Sequence, residues 1–578
     1  MGARGATGRR AAHLALAPIS MMAAISVIGP APAPGYAPAP PRFAKPAPPG
    51  KPVANDLRKV SVAVNASSPG APVNESLVGF DGPGPERAFG ALAKLHPAYI
   101  RTDVSFEGSY GGKPVYNCSD GAWNPAPLDS RVQQIRAAGA EPELIVDYMP
   151  ACLATGTPPG KNPNRSLPDP GAHSAAWSAL VKKMATYEIE HEGVRTFEVW
   201  NEPDWVFWND GLRGYEKLYA MTATALEAAA HAARVKIEVG GPALANVLGT
   251  MDTNWLDPFL AFVAANHLPL DFLSWHLYAN DPDAGPQPGV GHVCIFHADP
   301  STNPCWYNPN LSAGLYAKEA AQAKAALAPY PQLHPRLWID EWNINGAYDP
   351  RQAGPYDGAF VAAVLDAAQR AGISRMCYFF VATGSHGPLG DWGVLNGQTL
   401  PVPAYFSFRY WHDLAGRLLE APVSGGANPF SAGQGGVGAV ASRAPGGAVH
   451  VLVYDFLPYD PSGNYGTRLP TPTGASVTVR LGHLGRGISS LRVAATSIGG
   501  AARLTASSGD VEAAFARIDL PAEGVALVTF APHRAQQRNL APWLLALIAV
   551  VAAAIVLAGL AIALRSRRAV AAKQPRGL

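Results

Sequence analysis

The run Thr196-Phe197-Glu198-Val199-Trp200-Asn201-Glu202-Pro203-Asp204 starts β-branched and aromatic and turns polar. An Ala-rich helical stretch, Tyr215–Ala233, follows it. A short apolar strand that ends in polar residues and feeds a helix is a β–α unit. The same theme recurs on both sides. Strand-like runs fall at Leu77–Asp81, Tyr99–Ser105, Glu143–Tyr148, Lys236–Gly240, Phe272–Tyr278, Leu337–Trp342 and Met376–Ala382. Helical stretches between them include Arg131–Ala138, Ala175–Glu190, Pro258–Ala265, Leu315–Leu327 and Gly358–Ala371. Eight such units predict an α/β fold, a (β/α)8 TIM barrel, over residues 58–416. A doubly wound sheet would want a glycine-rich phosphate loop after its first strand. Gly79-Phe-Asp-Gly-Pro-Gly-Pro85 is too proline-rich and opens no clear helix.

Beyond Gly416 the long helical patterns stop. Short alternating runs replace them at Val449–Tyr454, Ser476–Leu481, Leu491–Ala495 and Val525–Phe530, separated by glycine-rich turns. They predict a small C-terminal β-sandwich over 417–533. The early run Val60–Val64 precedes the barrel and is a candidate strand for that sandwich.

The two ends of the 578-residue chain address a membrane. Arg4, Arg9 and Arg10 precede an apolar stretch, so 1–33 reads as an export signal or an N-terminal anchor. Residues 34–57 form a Pro/Ala-rich linker; ten prolines lie between Pro30 and Pro52, which favours an extended spacer. Pro542–Leu564 carries no charge, and as a helix it would span roughly 35 Å. That length suffices for a bilayer core, so 540–564 is expected to be one transmembrane helix. Arg565, Arg567 and Arg568 place the basic tail 565–578 in the cytoplasm. The expected location is the cell membrane, single-pass, with the folded part extracytoplasmic.

A net charge of +2 with scattered Lys and Arg gives no field for nucleic acid. The five cysteines show no CxxC spacing and no zinc-ligand pattern, so neither metal nor cofactor is expected. In an exported protein Cys294 and Cys305 could close a loop, and Cys118 could pair with Cys152; Cys377 reads as a buried free thiol.

Chemistry in such a barrel sits at the C-terminal ends of the strands. Strand four ends at Asn201-Glu202, and strand seven ends Leu337-Trp-Ile-Asp-Glu-Trp-Asn343. Each places a Glu beside an Asn and a Trp, on roughly opposite sides of the mouth. Paired carboxyl groups facing one another suit cleavage of a glycosidic bond. One is protonated to assist the leaving oxygen; the other is ionised to attack carbon or activate water.

At these residues the chain resembles family 39 glycoside hydrolases, of the β-xylosidase and α-L-iduronidase type. The likeness extends over His96-Pro-Ala-Tyr-Ile-Arg101, Asp147-Tyr-Met-Pro150, Phe197–Asp204, Gly240-Gly-Pro-Ala243, Asp271–Tyr278, Trp338–Asn343 and Pro403-Ala-Tyr405. It implies a retaining glycosidase with Glu202 as acid/base, Glu341 as nucleophile and an oligo- or polysaccharide as partner. Substrate-binding roles are expected for Arg101, Asn201, His276 and Tyr278 and, from their own positions in the chain, for Asp103 and Trp392. Arg101 and Tyr278 are expected beside Glu341. Asn201 is expected to donate to the sugar 2-hydroxyl, His276 to meet a sugar hydroxyl, and Trp392 to stack under the ring. Asp103 stands where relatives place a His, which leaves the sugar open: β-xyloside, arabinoside, uronide or another envelope or plant polysaccharide. A non-catalytic carbohydrate-binding barrel and a transglycosylase with the same site are the competing readings.

Overall fold

The computed structural model describes residues 57–532, except 83, 109–113, 155, 158, 170–172, 250–252, 280–310, 345–350, 353, 383–392, 432–433, 459–472, 484–490, 499–502 and 508–512. Eight parallel strands close into a barrel. They are β1 (Gly79–Asp81), β2 (Tyr99–Asp103), β3 (Glu141–Val146), β4 (Thr196–Val199), β5 (Glu238–Leu244), β6 (Phe272–Tyr278), β7 (Arg336–Asn343) and β8 (Arg375–Phe379). Each is followed by a helix: α1 (Phe89–Leu92), α2 (Ala126–Ala137), α3 (Ser174–Tyr187), α4 (Gly211–Ala233), α5 (Leu256–Ala265), α6 (Gly314–Leu327), α7 (Pro355–Ala371) and α8 (Pro403–Leu414). The expected (β/α)8 architecture is thus present.

The N-terminal end of the barrel is sealed by aromatic packing. The Phe272 and Trp338 rings stack with centroids 3.5 Å apart. The Arg375 guanidinium lies 3.0 Å from the Tyr99 ring centroid and 3.5 Å from that of Trp338. Gly240 admits this plug, since a Cβ there would fall 2.3 Å from the Phe272 ring. With the bottom filled, only the C-terminal mouth is left for chemistry.

A second sheet lies beside the barrel. One hydrogen-bonded order runs Leu491–Ile498, Val525–Pro532, Val449–Phe456, Gly436–Arg443, Arg417–Glu420, Arg58–Pro72, Ala475–Gly482, Ala513–Leu520 and Arg503–Ser507, with Val423–Ser424 pairing to Arg58–Pro72. The ten strands therefore form one continuous sheet rather than two separate ones. The strand Arg58–Pro72 belongs to it, parallel to Ala475–Gly482, so the barrel itself begins at β1.

The middle strands are buried on both faces. In Val449–Phe456, residues Val449, Val451 and Val453 enter the sheet's own core, whereas Leu452, Tyr454 and Phe456 join the barrel core. This period-2 division is what a strand between two apolar layers requires. The Tyr454 hydroxyl donates to the buried Asp366 of α7 at 2.8 Å, which fixes the junction.

A disulfide joins Cys118 to Cys152, and Cys377 is a buried free thiol, both as expected. Cys294 and Cys305 lie outside the described residues. So do the N-terminal segment 1–33, the linker up to residue 56 and the apolar run 540–564. Among the described residues, no helix is long and apolar enough to cross a membrane.

Candidate active site

The site is built where β2, β4, β6 and β7 reach the mouth. Past the end of β4 the backbone leaves strand geometry. Trp200 and Glu202 take φ of 73° and 43°, a left-handed region that costs a side-chain-bearing residue ~1–3 kcal/mol. The Glu202 N–H donates to the Ala243 carbonyl of β5 at 2.9 Å, which holds the turn. Indoles wall it: Trp200 is fully buried, and its ring meets Trp208 edge-on with centroids 5.0 Å apart.

On β7 the pairing to β6 slips between Ile339 and Glu341, so Asp340 is the extra residue of a bulge. A bulge breaks strict alternation. Asp340 is accordingly buried inside the barrel, while Glu341 next to it reaches the mouth with a side chain 13% exposed.

Arg101 organises the floor. Its buried guanidinium donates from Nε to Glu198 at 2.7 Å, from Nη1 to Asp81 at 2.9 Å and to Glu341 at 3.3 Å, and from Nη2 to Asn201 Oδ1 at 2.8 Å. Burial pulls the guanidinium down, but Glu198, Asp81, Asp340 and Glu341 together raise it above its ordinary value. It stays charged. Tyr278 donates its hydroxyl to Glu341 Oε1, and burial with the Glu341 charge raises that phenol well above its usual range, so it remains a donor.

His276 sits against both glutamates. It is fully buried, and its Nδ1 lies 2.8 Å from Glu202 Oε1 and 3.5 Å from Glu341 Oε2. Burial depresses its imidazolium to about 4, so the ring is neutral near pH 7. Arg101 Nη2, 3.5 Å from Nε2, can only donate. Nε2 is then the acceptor, and Nδ1 donates to Glu202. The histidine thus touches Glu202.

Burial raises the Glu202 carboxyl to about 7, against the lowering pull of Arg101. The two glutamates thus differ in surroundings: one desolvated beside a neutral imidazole, the other beside a guanidinium and a phenol. Their oxygens and a His276 nitrogen lie within 4.8 Å of one another. Such a trio has the spacing of a metal site, but Arg101 already supplies the positive charge that Glu341 faces.

Asn201 reaches the mouth with its amide nitrogen 3.5 Å from the Tyr148 hydroxyl. Asp103, two residues beyond Arg101 on β2, raises the buried Asp147 by its charge and hydrogen bond, after burial itself. Trp392 lies outside the described residues. The residues that the sequence did not single out are Asp81, Glu198, Ser274 and Asp340, all buried. The signal was a charged or polar residue inside an apolar run, at Glu198 in Thr196–Val199 and at Ser274 in Phe272–Tyr278.

The profile of glycosyl hydrolases family 39 matches residues 98–451. A beta-xylosidase of Geobacillus stearothermophilus is 32% identical over 339 residues, covering 55% of this chain and 60% of that protein. A beta-xylosidase of Caldicellulosiruptor saccharolyticus is 27% identical over 311 residues, 51% of this chain and 57% of that one. The chain therefore spans less than two thirds of the length of these curated relatives. Among solved structures, a monomeric beta-xylosidase from Caulobacter crescentus CB15 superposes with a TM-score of 0.61 at 19% identity, over 82% of this chain and 100% of that one. A glucosidase from Croceicoccus marinus gives 0.61 at 18%, over 82% and 99%. At these identities the structural likeness speaks for the fold; the profile, which covers more than half of the chain, places it in a family. The chain belongs to glycosyl hydrolases family 39.

Proposed function

We propose that this chain is a retaining glycoside hydrolase, with Glu202 as acid/base and Glu341 as nucleophile. One observation carries the reading: one oxygen of each carboxyl group lies within 4.8 Å of the other, and His276 Nδ1 reaches both groups, at 2.8 and 3.5 Å, so the two face one another across a short gap. Double displacement wants about 5–5.5 Å between carboxyl groups, whereas inversion through an interposed water wants about 6.5–9.5 Å.

The surroundings supply the two roles. In the first step the Glu341 carboxylate attacks the anomeric carbon and the glycosidic C–O bond breaks. The Glu202 proton passes to the departing oxygen. His276 donates to Oε1 of Glu202, which leaves Oε2 to carry that proton. In the second step Glu202, now ionised, takes a proton from water as the water oxygen attacks the same carbon and releases Glu341. Arg101 and Tyr278 both donate to Glu341 and hold its carboxyl oriented. The amide nitrogen of Asn201, whose oxygen is fixed by Arg101, is available to a sugar 2-hydroxyl.

The substrate class we favour is a β-xyloside, because both curated relatives carry that activity in their names. We further place the catalytic part outside the cytoplasm, held by the apolar run 540–564. The Cys118–Cys152 disulfide supports an oxidising compartment. Protease shaving of intact cells that leaves the barrel untouched would overturn the placement. A panel of aryl glycosides with product stereochemistry followed by NMR tests the activity. Net retention is expected; an inverted product, or binding without turnover, ends the assignment.

A further inference from the structure

Beneath the two glutamates lies a second connection between them that uses neither His276 nor the substrate. The Glu202 N–H donates to the Ala243 carbonyl at 2.9 Å. The Ala243 N–H donates to Ser274 Oγ at 3.0 Å. The Ser274 hydroxyl donates to Glu198 Oε1. Glu198 Oε2 accepts from Arg101 Nε at 2.7 Å, and Arg101 Nη1 donates to Glu341 at 3.3 Å. The path crosses β4, β5, β6 and β2 to reach β7. Both Ser274 and Glu198 are fully buried, so no water competes for their bonds.

We propose that Ser274 and Glu198 form a positioning unit that sets the two catalytic carboxylates relative to each other. The physical ground is that each end of the path is under-determined without it. At one end, Ala243 and Glu202 both adopt positive φ, 51° and 43°, with side chains that disfavour it. Their mutual bond and the bond from Ala243 to Ser274 hold that backbone. At the other end, a guanidinium is a fork that can rotate about its stem. Glu198 takes Nε, and this one bond directs Nη1 to Asp81 and Glu341 and Nη2 to Asn201. Ser274 is the hinge of both halves. Its single hydroxyl accepts from the Glu202 side and commits its one O–H to the Arg101 side.

This inference rests on the retaining-glycosidase reading for its kinetic arm only. In Ser274→Ala, measured on aryl β-xylosides with the full chain, kcat falls roughly 10- to 100-fold while KM stays within about threefold, because the groups are misplaced rather than removed. Glu198→Gln behaves alike. The double variant is no worse than the worse single one, since both break one unit. Ser274→Thr, which keeps the hydroxyl, recovers most of the rate. Ser407→Ala is the control: that serine is equally buried and donates to the Gly358 carbonyl at 2.6 Å, away from the mouth. It is expected to lower Tm with kcat within about twofold of the parent. A Ser274→Ala enzyme that folds and keeps its kcat, or single losses that multiply in the double variant, overturns the proposal. A structural arm needs no turnover. In crystals of Ser274→Ala, Arg101 Nη1 withdraws from Glu341 beyond hydrogen-bond distance, and an unchanged contact overturns the unit. A parent chain silent on every glycoside would refute the enzymatic reading and leave this second arm to decide the positioning.

Discussion

The barrel and the second sheet fill their interiors in opposite ways. Inside the barrel, Asp81, Arg101, Glu143, Glu198, Ser274, His276 and Asp340 are all buried. Inside the sheet, Val62, Val451, Val479, Ile518, Val528 and Phe530 make an apolar core, with the buried Asp455, ion-paired to Arg58, as its charged exception. Buried ion pairs cost desolvation that their attraction barely returns, so a polar interior adds little stability over an apolar one. The sheet is therefore built to hold, whereas the barrel interior gives up stability to fix a set of charges in place. The contrast separates two kinds of substitution: those that remove rate and those that remove fold.

The largest expected effect lies in the barrel. Glu341→Gln takes hydrolysis of aryl glycosides to the assay floor while the thermal unfolding curve stays near that of the parent. Glu202→Ala lowers the rate by roughly 10²–10⁴-fold, and added azide restores turnover of substrates with good leaving groups; full activity in either variant would break the pairing. Arg101→Met removes the common cation of Glu198, Asp81 and Glu341. Both properties should fail there, with a stability loss of ~3–5 kcal/mol in urea titration, because the acids are left buried and unpaired. If Arg101→Met merely slows the enzyme, the polar interior is less costly than argued.

Phe530→Ala tests the other side. A cavity in the sheet core should cost ~3–5 kcal/mol, yet kcat per folded molecule should match the parent in stopped-time assays. A lowered kcat would mean that the sheet shapes the mouth as well as supporting it.

The smallest effect is a pH limb. Burial raises Glu202 to about 7, and the first step needs it protonated. Activity should thus fall about tenfold per unit as pH rises above that value. In Glu202→Gln the residual rate should lose this limb. The linked stability has the same sign. A carboxyl raised in the folded state binds its proton more tightly than in the unfolded chain. Its contribution is present at low pH and lost as pH climbs through about 7. Urea midpoints across that window check it.

Much of this was legible before any coordinates. Eight β–α units could be counted because strand and helix periodicities are local, and the strand ends at Glu202 and Glu341 stood out by their polarity. Arg101 and Tyr278 were expected beside Glu341 and lie there. His276 was expected to meet a sugar hydroxyl; its contact with Glu202 was not foreseen, and it arises because the turn after β4 brings Glu202 over the end of β6. Nothing in a period-2 pattern announces the bulge at Asp340, since an extra residue in one strand is defined only by its partner.

The sequence by itself determined the repeated units, the polar strand ends that carry Glu202 and Glu341, and the short alternating runs such as Val449–Tyr454. All of these follow from side-chain chemistry at short range. That Val60–Val64 joins the C-terminal sheet was also legible; tertiary structure alone decided its partner, Ala475–Gly482 in parallel register, and that Ser274 stands between Glu198 and Ala243. Hydrogen bonds between distant segments depend on which neighbours the closed barrel and curled sheet bring within 3 Å or so. That proximity is a property of the whole fold and is not written in any one stretch of it.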